Sequence, residues 1–427
     1  MSQRNPMLLG LGLVVLGLCT APTGSAADWQ QTEAGRAFLQ RQSILRSQGQ
    51  PVGPSKALTD RVFSDGGFES PNPCLEDRDS DGLADCVETL TGHFIDISDT
   101  GTDPDNPDSD SDGLLDGEEV LGSETGLDLP AMGVSPLRRD ILLEYDWFES
   151  DYSCGPHSQR PTVAAIERLA DMFASAPVQN PDGSFGIHLV QDYGQGGLYQ
   201  GGNRIDGYHP VLPGALDATF YEIKQANFDP ARLGYFRYVM LPHQYNGGSF
   251  SSGYAEVVGD DAIVALQCFN NDDYLARTMA HELGHLLGLL HGGFEWCNHK
   301  PNYNSLMNYR YQFAGIDHDC DAQGDPLGDD FSIGARVLLN ESELSETAGV
   351  CGAQPVDWNG DGTLDEQLEY DLNPTGGCSG TFSMLHDFDD WTNLTFAGLA
   401  DRTGALKSVQ SEVGCAGAPP SPTHKAR

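Results

Sequence analysis

Histidine and glutamate stand at a spacing that suits one metal ion in the segment His281-Glu282-Leu283-Gly284-His285-Leu286-Leu287-Gly288-Leu289-Leu290-His291. On a helix, residues four apart lie one above the other, so the His281 and His285 imidazoles can bind an ion from the same side. Leu275, Met279, Leu283, Leu286 and Leu290 fall on the opposite face, which leaves the histidines facing outward from the core contact. Gly288 lies three residues past His285, where a glycine can turn left-handed, end the helix and swing His291 back to the metal. Three neutral imidazoles on zinc leave a fourth position for water, which is what separates a catalytic from a structural site. Glu282 is placed to take a proton from that zinc-bound water as it attacks a peptide carbonyl. Zinc lowers the pKa of the water towards about 7 and polarises the carbonyl.

This extended pattern resembles the zinc signature of the metzincins, whose second mark is a methionine turn beneath the metal. Ser305-Leu306-Met307-Asn308-Tyr309 fits that turn. The resemblance implies that Met307 is a structural floor under the three histidines. It also implies that Tyr309, at the position of the tyrosine in the astacin and serralysin branches, approaches the zinc and hydrogen-bonds the oxyanion. The implied fold is an α/β (α+β) metzincin-like catalytic domain with a twisted sheet, an active-site helix and an extended substrate added to an edge strand above the zinc. Val257 to Leu266, just ahead of the helix, is the segment expected to be that strand. A resemblance to one bacterial group of secreted zinc-dependent metalloproteases runs further, through Arg139–Asp146, Tyr245–Ser249, Lys300–Tyr303, the Asp357 loop and Asp390–Leu394. No catalytic role attaches to those outlying segments. His299, His318 and His386 are expected to be structural or exposed, and Cys74 matches no latency switch.

A second kind of metal chemistry is written in residues 66–128, where Asp77, Asp79, Asp81, Asp85 and Glu88 are repeated as Asp108, Asp110, Asp112, Asp116 and Glu119. Both runs place oxygen ligands at positions 1, 3, 5, 9 and 12 of a twelve-residue calcium loop, with Gly82 and Gly113 at the sharp turn of position 6. The Gly101-Thr102-Asp103-Pro104 lead-in and the lack of long flanking helices resemble bacterial thrombospondin type 3 repeats more than paired EF-hands. A third loop carries Asp357, Asn359, Asp361 and Asp365 but has Leu368 at position 12, so its acid would come from Glu366 or Glu369 or be missing. A solvated turn is the alternative there.

These sites must be positioned by elements that the pattern also predicts. Ile141–Asp146, Gly186–Gln191, Arg237–Leu241 and Ala262–Leu266 are short β-branched or aromatic runs that read as strands. Val163, Ile166, Ala170 and Phe173 recur at helical spacing after Pro161. Together they indicate a catalytic unit over about residues 135–400, with the third calcium-like loop inserted at 355–370.

The remaining segments speak to compartment and partners. Residues 1–27 read as a cleaved export signal, with an apolar run from Met7 to Leu18 and small residues at Ser25-Ala26-Ala27; Leu18 before Cys19 argues against a lipoprotein. Residues 28–65 are an extension or a pro-segment, and the proline-rich tail, 401–427, reads as disordered. Nine cysteines follow the signal, and in an oxidising compartment chain proximity favours Cys74 with Cys86, Cys297 with Cys320, and Cys351 with Cys378. A net charge of -40, from 63 acidic against 23 basic residues, repels nucleic acid, and no stretch after the signal could span a bilayer. The expectation is a secreted zinc endopeptidase acting on protein or peptide. A calcium-dependent adhesion or binding protein with an idle zinc site is the competing class, as is a peptidase with a glutamate as third ligand.

Overall fold

The computed structural model describes residue 74, residues 76–396 apart from 249, 270, 376–377 and 379–382, and residues 399, 410 and 411. The export signal, the N-terminal extension, Cys415 and all but three residues after 396 lie outside the described residues.

Helix α1 (Asp116–Leu121) precedes strand β1 (Asp140–Trp147), the hairpin β2 (Glu149–Ser150) with β3 (His157–Ser158), and helix α2 (Val163–Ala174). Then come β4 (His188–Asp192), α3 (Ala218–Asn227), β5 (Phe236–Leu241), β6 (Gly253–Val257), β7 (Asp261–Val264) and α4 (Asp272–Leu286). Short strands β8 (Leu339–Asn340), β9 (Met384–Leu385) and β10 (Gln410–Ser411) complete the chain. The main sheet is ordered β10-β6-β7-β5-β1-β4, so the architecture is mixed α/β. β1 runs parallel to β4 and β5, β5 parallel to β7, and β6 antiparallel to β7.

β1 is buried along its whole length because both faces of the sheet are covered. Ile141, Leu143, Tyr145 and Trp147 point into one core with Ile166, Leu169 and Phe173 of α2 and Met279, Leu283 and Leu286 of α4. Leu142 faces the other core, with Phe220 and Ile223 of α3. On that second face Glu144 and Asp146 are fully buried and require partners. Arg232 donates to Glu144 at 2.5 Å and to Asp192 at 2.6 Å, and the Tyr238 hydroxyl donates to Asp146 at 2.8 Å. Side-chain caps set where the helices begin, since Thr162 accepts from Ala165 N–H and Asn271 from Tyr274 N–H.

Two expectations change. The segment Val257–Leu266 is not one strand, because Asp260 N–H donates to the Glu256 carboxylate and folds the chain back there. Its first residue ends β6, next to the short β10, and the rest contains β7, which lies inside the sheet. The disulfides also differ. Cys74 bridges Cys86, but Cys297 joins Cys378, Cys320 joins Cys351, and Cys154 joins Cys268. Proximity along the chain misleads here because Cys297, Cys320, Cys351 and Cys378 all pack into a separate small core with Leu339, Leu344, Val350, Leu372 and Leu385. The acidic segment packs against the sheet. Leu114 belongs to the α3-side core, and the Tyr235 hydroxyl donates to Glu118 at 2.5 Å. Among the described residues no helix is long and apolar enough to cross a membrane.

Peptide mapping without reduction should recover Cys297 linked to Cys378 and Cys320 linked to Cys351. A Cys297–Cys320 peptide would show that the small core folds differently.

Candidate metal centre

Helix α4 ends at Leu286, and Gly288 takes φ +97, a conformation that L side chains rarely adopt. Gly288 N–H donates to His285 C=O and Leu289 N–H to Gly284 C=O, both at 2.9 Å, and the chain then reverses. His291 returns so that His285 Nε2 stands 3.2 Å from both His281 Nε2 and His291 Nε2. The outward-facing histidines of the sequence reading are in fact buried, at 2% exposure for His281 and His285 and 6% for His291. The methionine turn covers their face of the helix.

Backbone carbonyls orient two of the rings. His281 Nδ1 lies 2.8 Å from Leu306 C=O and His285 Nδ1 2.7 Å from Leu289 C=O, so each Nδ1 carries the proton and each Nε2 presents a lone pair. Burial, reinforced by the neighbouring imidazoles, pushes His281 and His291 well below the ordinary histidine range, and burial brings His285 to about 4. The neutral imidazole required of a metal ligand is therefore the stable form. Zinc–nitrogen bonds of about 2.0–2.1 Å at tetrahedral angles place ligand nitrogens about 3.3 Å apart, so the three residues fit zinc.

The other sequence-derived residues gather around this trio. Met307 is fully buried, and a Cβ at Gly284 would collide with its sulfur, which explains a glycine inside the helix. Asp390 holds the turn, accepting from Ser305 Oγ at 2.6 Å and from the Tyr303 hydroxyl at 2.8 Å. The Tyr309 ring lies 4.0 Å from that of His291 and 5.6 Å from that of His281. Glu282 is 4% exposed, and a Cβ at Gly253 would overlap its carboxylate, so β6 begins with a glycine where the glutamate crosses it. His299 stands 6.0 Å from Tyr309, whereas His318 binds Asp325 through its N–H and His386 offers its carbonyl to Lys300. Lys300 had drawn notice only as part of a resemblance, yet its buried ammonium also donates to Gly292 C=O at 2.9 Å and ties down the loop after His291.

The acidic loops form two further clusters. Asp77, Asp79 and Asp81 offer oxygens within 4.8 Å of one another, as do Asp108, Asp110 and Asp112. Asp116 crosses over, joining Asp81 and Glu88 in a group that draws on both loops. Asp85 turns aside, accepting from the N–H and the guanidinium of Arg78. Buried oxygens of Asp79, Glu88, Asp110 and Glu119 have no hydrogen-bond partner, which a cation would supply. Burial is the chief reason that Asp110 is pushed up to about 10, Glu88 to about 8, Asp116 to about 7 and Asp81 to about 6, and neighbouring carboxylates add to it. Asp112 and Glu119 are raised well above the carboxylate range for the same reason.

The Asp357 loop repeats the turn, with Gly360 and Gly362 N–H groups donating to Asp357, but Asp357 and Asp361 are exposed. Glu346, which the sequence did not single out, accepts from Trp358 and Asp365 N–H. Asp317, Asp319, Asp321 and Asp325 reproduce the same hydrogen-bond scheme and were missed because Ala322 replaces the glycine. Arg336 lies 3.4 Å from Asp317 there, and we assign that loop no ion.

No family model and no curated protein matches the chain. Among solved structures, archaemetzincin from Methanopyrus kandleri is 15% identical, with a TM-score of 0.24, covering 40% of this chain and 81% of its own. A likeness of that size adds nothing to the geometry above.

Two outcomes follow from the clusters. Gly253→Ala should displace the Glu282 carboxylate, which the added methyl group would overlap, and lower Tm, while the three histidines bind added zinc as the wild type does. The acidic carboxyls titrate higher in the folded protein than their ordinary value of about 4, so stabilisation present below about pH 4 is lost as pH rises through about 6 to 8. In chelator, Tm should fall across that window, and millimolar calcium should suppress the fall. Superimposable curves with and without calcium would count against a cation in these loops.

Proposed function

We propose that this chain is a secreted zinc-dependent endopeptidase whose acidic repeats are held by calcium. The observation that carries the reading is the convergence of three neutral Nε2 atoms beside a glutamate seated on the first residue of β6. His281, His285 and His291 would hold zinc, which would supply Lewis acidity and lower the pKa of water towards about 7. Glu282 takes the proton of the attacking water and delivers it to the departing amine. Tyr309, beside His291 and His281, supplies a hydroxyl to the carbonyl oxygen as negative charge develops there. Met307 and Asp390 keep the histidine platform still.

The substrate backbone pairs along β6 ahead of Glu256 and Val257, the two residues that β10 covers. Ala265 N–H donates to Ser252 C=O, so the N–H and C=O of Tyr254 face β7, and those of Ala255 face the side on which β10 lies. An extended peptide pairing with Ala255 passes close to Glu282. Four disulfides support folding outside the reducing cytosol. The net charge of -40 supports a protein or peptide substrate over nucleic acid. The acidic loops support calcium through their buried, unpartnered oxygens.

Elemental analysis should find one zinc per chain in both the wild type and Glu282→Gln. Casein cleavage should fall about 10²–10⁴-fold in the variant, the usual range for a lost general base. Undiminished cleavage by Glu282→Gln, or a protein without zinc, would sink the reading.

A further inference from the structure

His291 opens a loop that ends at Lys300 and carries two large aromatic side chains in the open, Phe294 at 56% and Trp296 at 49% exposure. Exposed rings are usual on mobile loops, but this loop is fixed from beneath. Lys300 donates to Gly292 C=O at 2.9 Å, to Glu295 at 3.0 Å and to His386 C=O at 2.7 Å, all from a fully buried position. Cys297, next to Trp296, is bridged to Cys378. Gly293 takes φ +83 with Phe388 against it, leaving no room for a side chain, and the Phe388 ring lies 5.6 Å from that of Phe294. The Trp296 ring stands edge-on to His291, with centroids 6.0 Å apart.

A rigid backbone that keeps the Trp296 indole in water beside His291, with the Phe294 ring packed on Phe388 along the same loop, is suited to covering apolar surface on an incoming chain. We propose that Trp296 forms the wall of a substrate subsite that takes a bulky apolar or aromatic side chain close to the scissile bond. The proposal rests on the peptidase reading for its occupant, a peptide. Being preformed, the wall loses little conformational freedom on binding, so its contribution appears as selectivity among peptides.

The test uses internally quenched peptides alike except at the residues flanking the cut, which carry Phe, Leu, Ala or Asp. Wild type should prefer Phe and Leu over Ala by about 10-fold or more in kcat/KM, the scale of one apolar contact. Trp296→Ala should lower that preference about 10-fold, mainly through KM, and Trp296→Phe should restore most of it, with one zinc per chain throughout. An equal loss on every peptide, or a wild type without preference, overturns the proposal. To separate it from failure of the peptidase reading, the same peptides are bound to Glu282→Gln and to Glu282→Gln with Trp296→Ala, with fluorescence anisotropy as the readout. Tighter binding of the Phe peptide that Trp296→Ala abolishes supports the subsite whether or not the parent cleaves, and equal binding of the Phe and Ala peptides overturns it.

Discussion

His285 Nε2, held 3.2 Å from the Nε2 atoms of His281 and His291, packs three buried imidazoles closer than their mutual repulsion favours unless a cation lies between them. The surrounding structure resists that repulsion. The carbonyls of Leu306 and Leu289 fix two of the rings, and Gly288 lets the chain reverse to bring in the third. Gly284 allows the methionine turn to press onto the helix, while Asp390 anchors the turn from a segment about 80 residues downstream. Lys300 then fastens the loop that follows His291.

The acidic loops solve a similar problem with charge of the opposite sign. Carboxylates from two loops are packed together with buried oxygens that no donor reaches. The cluster is coupled to the sheet, since Asp112 accepts from Asp140 N–H at the first residue of β1, and Glu118 accepts from Tyr235 just ahead of β5. A change in the charge state of these loops therefore bears directly on the strands that back the histidine platform. The long axis of that connection is β1 itself, buried end to end.

Strands β1, β4, β5 and β7 and the two long helices were legible because each is a short apolar or amphipathic run bounded by turn residues, as at Pro161, whereas β6 and α3 were not singled out. Val257–Leu266 was misread because it is apolar on both sides of a turn, and apolarity does not report where a Glu256 carboxylate will catch the Asp260 amide. The cysteine pairing failed for a related reason. Separation along the chain orders loop-closure entropy, whereas these bridges follow the small core of Leu339, Leu344, Val350, Leu372 and Leu385 into which all four cysteines pack. The Asp317 loop escaped notice because an alanine occupies the left-handed position where the pattern requires glycine.

What the sequence determined by itself is the local chemistry. The spacing of His281 and His285, the glycine at 288, the Ser305–Tyr309 turn and the repeated acidic loops are all set by residues within a few positions of each other, where helix and turn geometry leave little choice. Tertiary structure decided everything that depends on distant segments meeting. It placed Gly253 against Glu282, Asp390 beneath the methionine turn, Asp116 with Asp81 and Glu88, and Lys300 under the aromatic loop. Such contacts depend on how the cores pack, a property of the whole chain that no short window of residues contains.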